Sequence, residues 1–228
     1  MTRKTICVFG GTGFVGSHLA DALTRAGFNV RIPTRHRERY RELTVLPTVD
    51  VVNANIYDDQ TLANVLRGCV AAVNLVAILN ERRRGDFDRV HVELPRRMIA
   101  AARKTGVERF IHMSALNASA QRGPSGYLHS KGRGEDYVHA AADKNFNVTT
   151  LRPSVIFGPG DHLFNRFANL LRIAPVFFPV VCARARFAPI FVEDVARAIV
   201  KCLQEPATAS QRINLCGPQV MTMEQIVA

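Results

Sequence analysis

The stretch Tyr127-Leu128-His129-Ser130-Lys131 sets a phenol and an ammonium four residues apart, and within a helix that spacing puts both on one face. The chemistry open to such a pair is proton transfer to an oxygen. A phenol titrates near ~10, so reaching ~7 takes about 4 kcal/mol of differential stabilisation. An ammonium at about 5 Å, in surroundings of effective dielectric near ~20, supplies about 3 kcal/mol of it. Lys131 is therefore expected to lower the pKa of Tyr127. Ser114 follows the apolar run Val107 to Met113 and is placed to hydrogen-bond the reacting oxygen. Ser114, Tyr127 and Lys131 are the candidate catalytic residues.

A second group of residues can bind rather than react. In Gly10-Gly11-Thr12-Gly13-Phe14-Val15-Gly16 the glycines at 10, 13 and 16 stand between a β-rich run and a helical pattern. Gly10 permits a tight exit from a strand, Gly13 lets backbone N–H groups approach a pyrophosphate, and Gly16 lets the helix pack close to the sheet. The helix then offers its positive end to the phosphates. Gly10, Thr12, Gly13, Phe14, Val15 and Gly16 form this candidate dinucleotide cradle, with a merely flexible turn as the alternative. A site for NAD(H) usually carries an acid about 20 residues further on, for the ribose 2′-hydroxyl. Here the chain reads Arg31-Ile32-Pro33-Thr34-Arg35-His36-Arg37. Guanidinium groups in place of a carboxylate suit a 2′-phosphate, with Arg35 leading and His36 and Arg37 assisting, so NADP(H) is favoured over NAD(H). A solvated basic loop is the alternative.

The elements that must position these groups alternate. Strands are expected over Thr5 to Phe9, Phe28 to Ile32, Val49 to Asn53, Ala71 to Val76, Val107 to Met113, Val148 to Leu151 and Ile190 to Val192. Helices are expected from Phe14 to Ala26, from a cap at Asp58 or Asp59 to Leu66, from about Arg89 to Lys104, from Tyr127 to Ala142, and from Glu193 to Gln204. Pro95 should kink the third of these or mark its restart. Glu193 and Asp194 read as acids at a helix start rather than as a catalytic pair. This pattern predicts a Rossmann-type α/β fold, a doubly wound parallel sheet with helices on both faces. Residues 1–228 form one domain, in which 152–189 and 205–228 contribute a small, incomplete C-terminal lobe on the substrate side.

Composition narrows the class. Hydrophobic residues at 47% and charged residues at 21% exclude a disordered or fibrous chain. The net charge of +11 admits an anionic partner, such as a dinucleotide, an acidic protein or a membrane surface. With no Trp, four Tyr and no basic-aromatic motif, nucleic acid is not expected. Cys7, Cys69, Cys182, Cys202 and Cys216 show no C-x-x-C pairing, so neither a disulfide framework nor a metal is expected. With four residues before the first strand no leader is expected, and the longest apolar runs, Val70 to Leu79 and Ile173 to Ala183, are too short to cross a membrane. The expected location is cytoplasmic.

GGTGFVG, Ser114 and YLHSK, in this order and spacing, resemble the extended or atypical branch of the short-chain dehydrogenase/reductase superfamily, which includes the NAD-dependent epimerases and dehydratases. Leu75-Val76-Ala77, Arg152 to Pro159 and Phe191 to Ala196 fit the same branch. Within it, FDRVHVELP, GVERFIHMSALNA and DHLFNRFANLLRIAP are most similar to the nucleotide-binding accessory subunits of respiratory complex I and their bacterial relatives. The resemblance implies that Asn55 and Ile56 flank the adenine. It also implies that Leu75, Val76 and Ala77 line the cofactor, and that Pro153, Ser154, Val155 and Ile156 approach the nicotinamide together with Tyr127 and Lys131. Asn55 departs from the Asp that many members carry.

Two functions follow. The first is an NADP(H)-dependent oxidoreductase acting on a carbonyl or alcohol, in quinone or sugar-nucleotide chemistry. The second is a non-catalytic nucleotide-binding accessory or assembly subunit of a respiratory NADH:quinone oxidoreductase, peripheral at the inner face of the respiratory membrane. The stretch Leu163 to Val181, with Phe164, Phe167, Leu170 and Leu171 on one helical face, could cap a substrate pocket, meet a partner or form ordinary core.

Overall fold

Strands and helices alternate through the chain in a computed structural model that describes residues 3–161 and 183–227. The order is β1 (Thr5–Phe9), α1 (Phe14–Arg25), β2 (Asn29–Thr34), β3 (Val49–Asn53), α2 (Asp59–Leu66), β4 (Cys69–Asn74), α3 (Asp86–Asp88) and α4 (Leu94–Lys104). It continues with β5 (Arg109–Met113), α5 (Gly126–Ala140), β6 (Asn147–Pro153), β7 (Ile156–Phe157), β8 (Arg186–Phe187), β9 (Ile190–Phe191), α6 (Val192–Gln204), β10 (Arg212–Leu215), β11 (Met221–Thr222) and α7 (Met223–Val227).

Seven strands form one sheet in the order β10-β6-β5-β4-β1-β2-β3, and every pairing in it is parallel. The expected Rossmann-type sheet is therefore the architecture. Both faces are covered, as a parallel sheet requires. From β1 alone, Ile6 and Val8 enter the core shared with α1 and α6, while Cys7 and Phe9 enter the core shared with α2, α4 and α5. Strand order reverses between β1 and β4, which opens a crevice at their carboxyl ends, the place where such sheets bind ligands.

Local chemistry explains where elements begin and end. Asp58 caps α2, its carboxylate accepting the Thr61 N–H at 2.7 Å. The fourth strand stops at Asn74, short of the expected Val76, because the Asn74 side chain accepts the Val76 N–H at 3.0 Å. The helix expected from about Arg89 starts earlier, at Asp86, and passes through a π-turn at Arg89–Glu93 before α4. Pro95 lies in the first turn of α4 and marks that restart, since it has no N–H for the His91 carbonyl four residues back. That carbonyl instead meets α5 at Gly134, where a Cβ would stand 1.8 Å from it. Lacking a side chain, Gly134 lets α5 lie directly against the π-turn.

Arg212–Leu215, read in the sequence with the substrate-side lobe, pairs with β6 at the edge of the main sheet. Two small pairings, β7 with β9 and β8 with β11, lie outside that sheet. The apolar face read over Leu163 to Val181 lies outside the described residues. Among the described residues no helix is long and apolar enough to cross a membrane.

Candidate active site

A cleft of about 680 Å³ opens at the carboxyl ends of β1, β4, β5 and β6. Its walls bring together Gly10, Gly13, Phe14, Val15 and Gly16 from the first turn, Leu75 and Ala77 after β4, and Ser114 after β5. Tyr127 and Lys131 enter from α5, and Pro153, Ser154, Val155 and Ile156 from the end of β6.

The turn fits a bound phosphate. Gly13 caps α1 with no side-chain hydrogen bond, and the first helical turn holds no acid. The opening N–H groups of α1 and the positive end of its dipole are therefore left to a ligand. Gly10 has φ +78°, and a Cβ at Gly16 would lie 2.3 Å from the Gly10 carbonyl oxygen. Only bare backbone permits so tight a turn.

Ser114 is buried; its N–H donates to the Leu151 carbonyl at 2.8 Å. Its Oγ has no hydrogen-bond partner among the described residues. A buried unpaired hydroxyl is costly, and the residue that carries this one lines the cleft. Lys131 is only 2% exposed, and its Nζ donates to the Met113 carbonyl at 2.6 Å. Burial pulls its pKa from 10.5 to about 8, against the opposing pull of Glu135. Glu135, itself 1% exposed, is clamped by Arg152 at 3.0 Å and Arg212 at 2.8 Å, which ties α5 to β6 and β10.

Tyr127 departs from expectation. Burial pushes its pKa up, whereas the spacing to Lys131 had argued for a depressed value. The attraction of an ammonium was counted without the desolvation of the phenol, and Lys131 directs its Nζ to a backbone carbonyl.

Spacing did not disclose the support behind Tyr127. His91 is buried; its Nε2 accepts the Ile78 N–H at 3.1 Å, so the proton lies on Nδ1, which donates to Ser130 Oγ at 2.8 Å. Ser130 Oγ in turn donates to the Tyr127 carbonyl at 2.8 Å. Burial, then Lys131, holds the His91 pKa at about 3, which keeps the imidazole neutral. The ring stacks on Phe87 with centroids 5.4 Å apart and meets Tyr127 edge-on at 5.5 Å. His91 thus joins the loop after β4 to the helix of Tyr127 and Lys131. The signal available was a lone His before Pro95.

Other expected residues lie outside this cleft. Thr12 does not contribute to its wall, and Val76 packs against the core beneath α2 and α4. Arg35, His36 and Arg37 are exposed beyond β2, with His36 Nδ1 3.4 Å from the Glu38 carboxylate. Asn55 is exposed and accepts the Tyr57 N–H at 3.1 Å, while Ile56 packs on the core. Arg31 turns away from them to the carbonyls of Val65 and Arg67, at 3.0 and 2.9 Å. Glu193 and Asp194 occupy the first turn of α6, where Asp194 pairs with Arg197. Leu79, Met113, Ala115, Leu116, Asn117, Ser125, Leu128, Asp161, Arg186 and Phe187 line the cleft without having been singled out from the sequence.

The NAD dependent epimerase/dehydratase family model matches residues 6–216. The chain is 32% identical over 92% of its length to subunit 9 of the NADH dehydrogenase (ubiquinone) 1 alpha subcomplex of Mus musculus, of which it covers 56%. It is 32% identical over 90% of its length to ceramide reductase of Caulobacter vibrioides, of which it covers 62%. The chain thus spans less than two thirds of either relative. Among solved structures, the UDP-glucuronic acid 4-epimerase of Bacillus cereus, in complex with UDP-glucuronic acid and NAD, superposes with a TM-score of 0.83. Identity to it is 19%, with 97% of this chain and 80% of that one covered, a likeness of fold alone.

Proposed function

The chain belongs to the NAD-dependent epimerase/dehydratase family, and from that membership we propose that it is an NADP(H)-dependent oxidoreductase acting on a carbonyl or alcohol. The observation that carries this reading is the buried, unpaired Ser114 hydroxyl, which shares one cleft with Tyr127, Lys131 and the uncapped start of α1. Gly10, Thr12, Gly13, Phe14, Val15 and Gly16 would hold the pyrophosphate. Leu75, Val76, Ala77 and residues 153–156 would flank the nicotinamide half, Asn55 and Ile56 the adenine, and Arg35, His36 and Arg37 the 2′-phosphate. When bound, the nicotinamide supplies or accepts the hydride.

The rest of the chemistry falls to this chain's own side chains. Ser114 Oγ donates a hydrogen bond to the substrate oxygen. Tyr127, kept protonated by burial, gives its proton to that oxygen in carbonyl reduction and takes it back in the reverse reaction. The Lys131 ammonium, charged below about 8, stabilises the phenolate that remains. Arg186 and Phe187 of β8 stand in the cleft wall. The relative described as a ceramide reductase puts long-chain carbonyl compounds on the panel to try, beside quinones and sugar nucleotides. The test is NADPH oxidation with that panel. Tyr127→Phe should abolish turnover and leave NADPH affinity unchanged; a variant as active as the parent would contradict the assignment.

The likeness to a subunit of NADH dehydrogenase favours a second reading, in which bound nucleotide stabilises an accessory subunit at a respiratory complex. That reading expects NADPH binding, no turnover with any compound, and co-purification with the complex.

A further inference from the structure

Leu79 is 72% exposed and also forms part of the cleft wall. The next residues, Asn80 to Gly85, are all exposed and include Arg82, Arg83 and Arg84 in succession. The acids of this loop serve its backbone. Glu81 accepts the N–H groups of Gly85 and Phe87 at 3.0 and 2.8 Å, and Asp86 accepts those of Arg82 and Arg83 at 3.2 and 3.0 Å. Asp86 also pairs with Arg89 at 3.1 Å and feels the charge of Arg83. Arg25, Arg97, Arg103, Arg133, Arg152, Arg197 and Arg212 likewise have carboxylate partners. Among the described residues none of those ion pairs involves Arg82, Arg83 or Arg84. Arg122, also exposed, lies in the loop between the cleft residues Asn117 and Ser125, and Arg186 lines the cleft, whose described wall has Asp161 as its one acid.

An exposed aliphatic side chain in the wall of a cleft that also holds Leu75, Leu116, Leu128 and Ile156, followed three residues later by a run of three exposed arginines, matches a surface that is anionic outside and apolar within. Guanidinium groups pair with phosphates in a planar fork, and a leucine gains from the headgroup boundary. An acidic protein face would satisfy the arginines and give Leu79 no comparable partner. We propose that residues 79–84 dock the mouth of the cleft on an anionic phospholipid surface, with Leu79 at headgroup level and Arg82, Arg83 and Arg84 on lipid phosphates. Together with the function proposed above, this lets a membrane-borne carbonyl compound reach Ser114 and Tyr127 from the bilayer.

The test is flotation with phosphatidylcholine vesicles, with and without phosphatidylglycerol, at low and high salt. The parent protein should bind the anionic vesicles and release them in salt. The triple variant Arg82→Gln/Arg83→Gln/Arg84→Gln should bind on the order of a hundredfold more weakly, with NADPH affinity unchanged, and Leu79→Ser should also weaken binding. Lys104→Gln/Lys144→Gln/Lys201→Gln removes the same charge from exposed positions near the amino ends of the strands and should leave vesicle binding nearly intact. Equal losses in the two triple variants would overturn the proposal. No binding to anionic vesicles at low salt would also overturn it, leaving the arginines to an acidic protein. Vesicle binding by a protein that fails to bind NADPH would overturn the proposed function and not this docking surface.

Discussion

Gly134→Ala pits two physical effects of opposite sign against each other. By helix propensity alone, replacing glycine inside α5 stabilises by up to about 1 kcal/mol, raising the melting temperature by about 2–4 °C in a domain of this size. The packing argues otherwise. The added Cβ would lie 1.8 Å from the His91 carbonyl oxygen and 3.0 Å from its carbon, against an ordinary C···O approach near ~3.3 Å. The π-turn and α5 must then separate by about 1.5 Å. Both contacting groups are backbone, so neither can swing aside, and the cost is about 3 kcal/mol. Net of the propensity gain the loss is about 2 kcal/mol, and the variant should melt about 4–8 °C below the parent by circular dichroism or calorimetry. Gly126→Ala, whose Cβ meets the Phe87 ring at an ordinary 3.6 Å, serves as the control and should melt within a few degrees. Because α5 carries Tyr127 and Lys131, Gly134→Ala should also lose turnover at temperatures where it remains folded. A melting temperature at or above the parent's would refute the contact between His91 and Gly134, and with it the reason given for the position of α5.

Lys131 carries a signed pH dependence. Its folded pKa is depressed to about 8 from 10.5, so between these values the unfolded chain binds more protons and stability linked to this lysine rises with pH. The melting temperature of the parent relative to Lys131→Met should climb as pH is raised from ~7 to ~10, while turnover falls above about 8 as the ammonium is lost; a flat difference would contradict the burial of a charged amine. His91→Phe removes the acceptor of the Ile78 N–H and the donor to Ser130, at a cost of about 1–3 kcal/mol for the stranded groups. Steady-state kinetics should show kcat falling more than NADPH affinity, whereas unchanged kcat would show that Tyr127 does not depend on this support. Since His91 stays neutral down to about 3, rate profiles in the parent should carry no inflection from it near neutrality.

The alternating fold, the glycine turn and the pairing of Tyr127 with Lys131 on one helix were legible because each rests on local spacing, of period two, 3.6 or four. The contacts that position the site are not local. His91 reaches Ser130 across 39 residues and Lys131 reaches Met113 across 18, distances that no periodicity encodes. The edge strand Arg212–Leu215 escaped for a related reason, being only four residues long and identified by its pairing with β6. The direction of the Tyr127 shift was misread because charge attraction follows from spacing, while desolvation depends on what the fold packs around the ring.

The glycine turn and the basic end of β2 are proposed above to hold NADP(H). The most direct test is calorimetric titration of nucleotide-free protein with NADPH and NADH, repeated on Arg35→Ala. Tighter binding of NADPH, with the preference lost in the variant, is the predicted result; a folded protein that binds neither nucleotide would contradict the account.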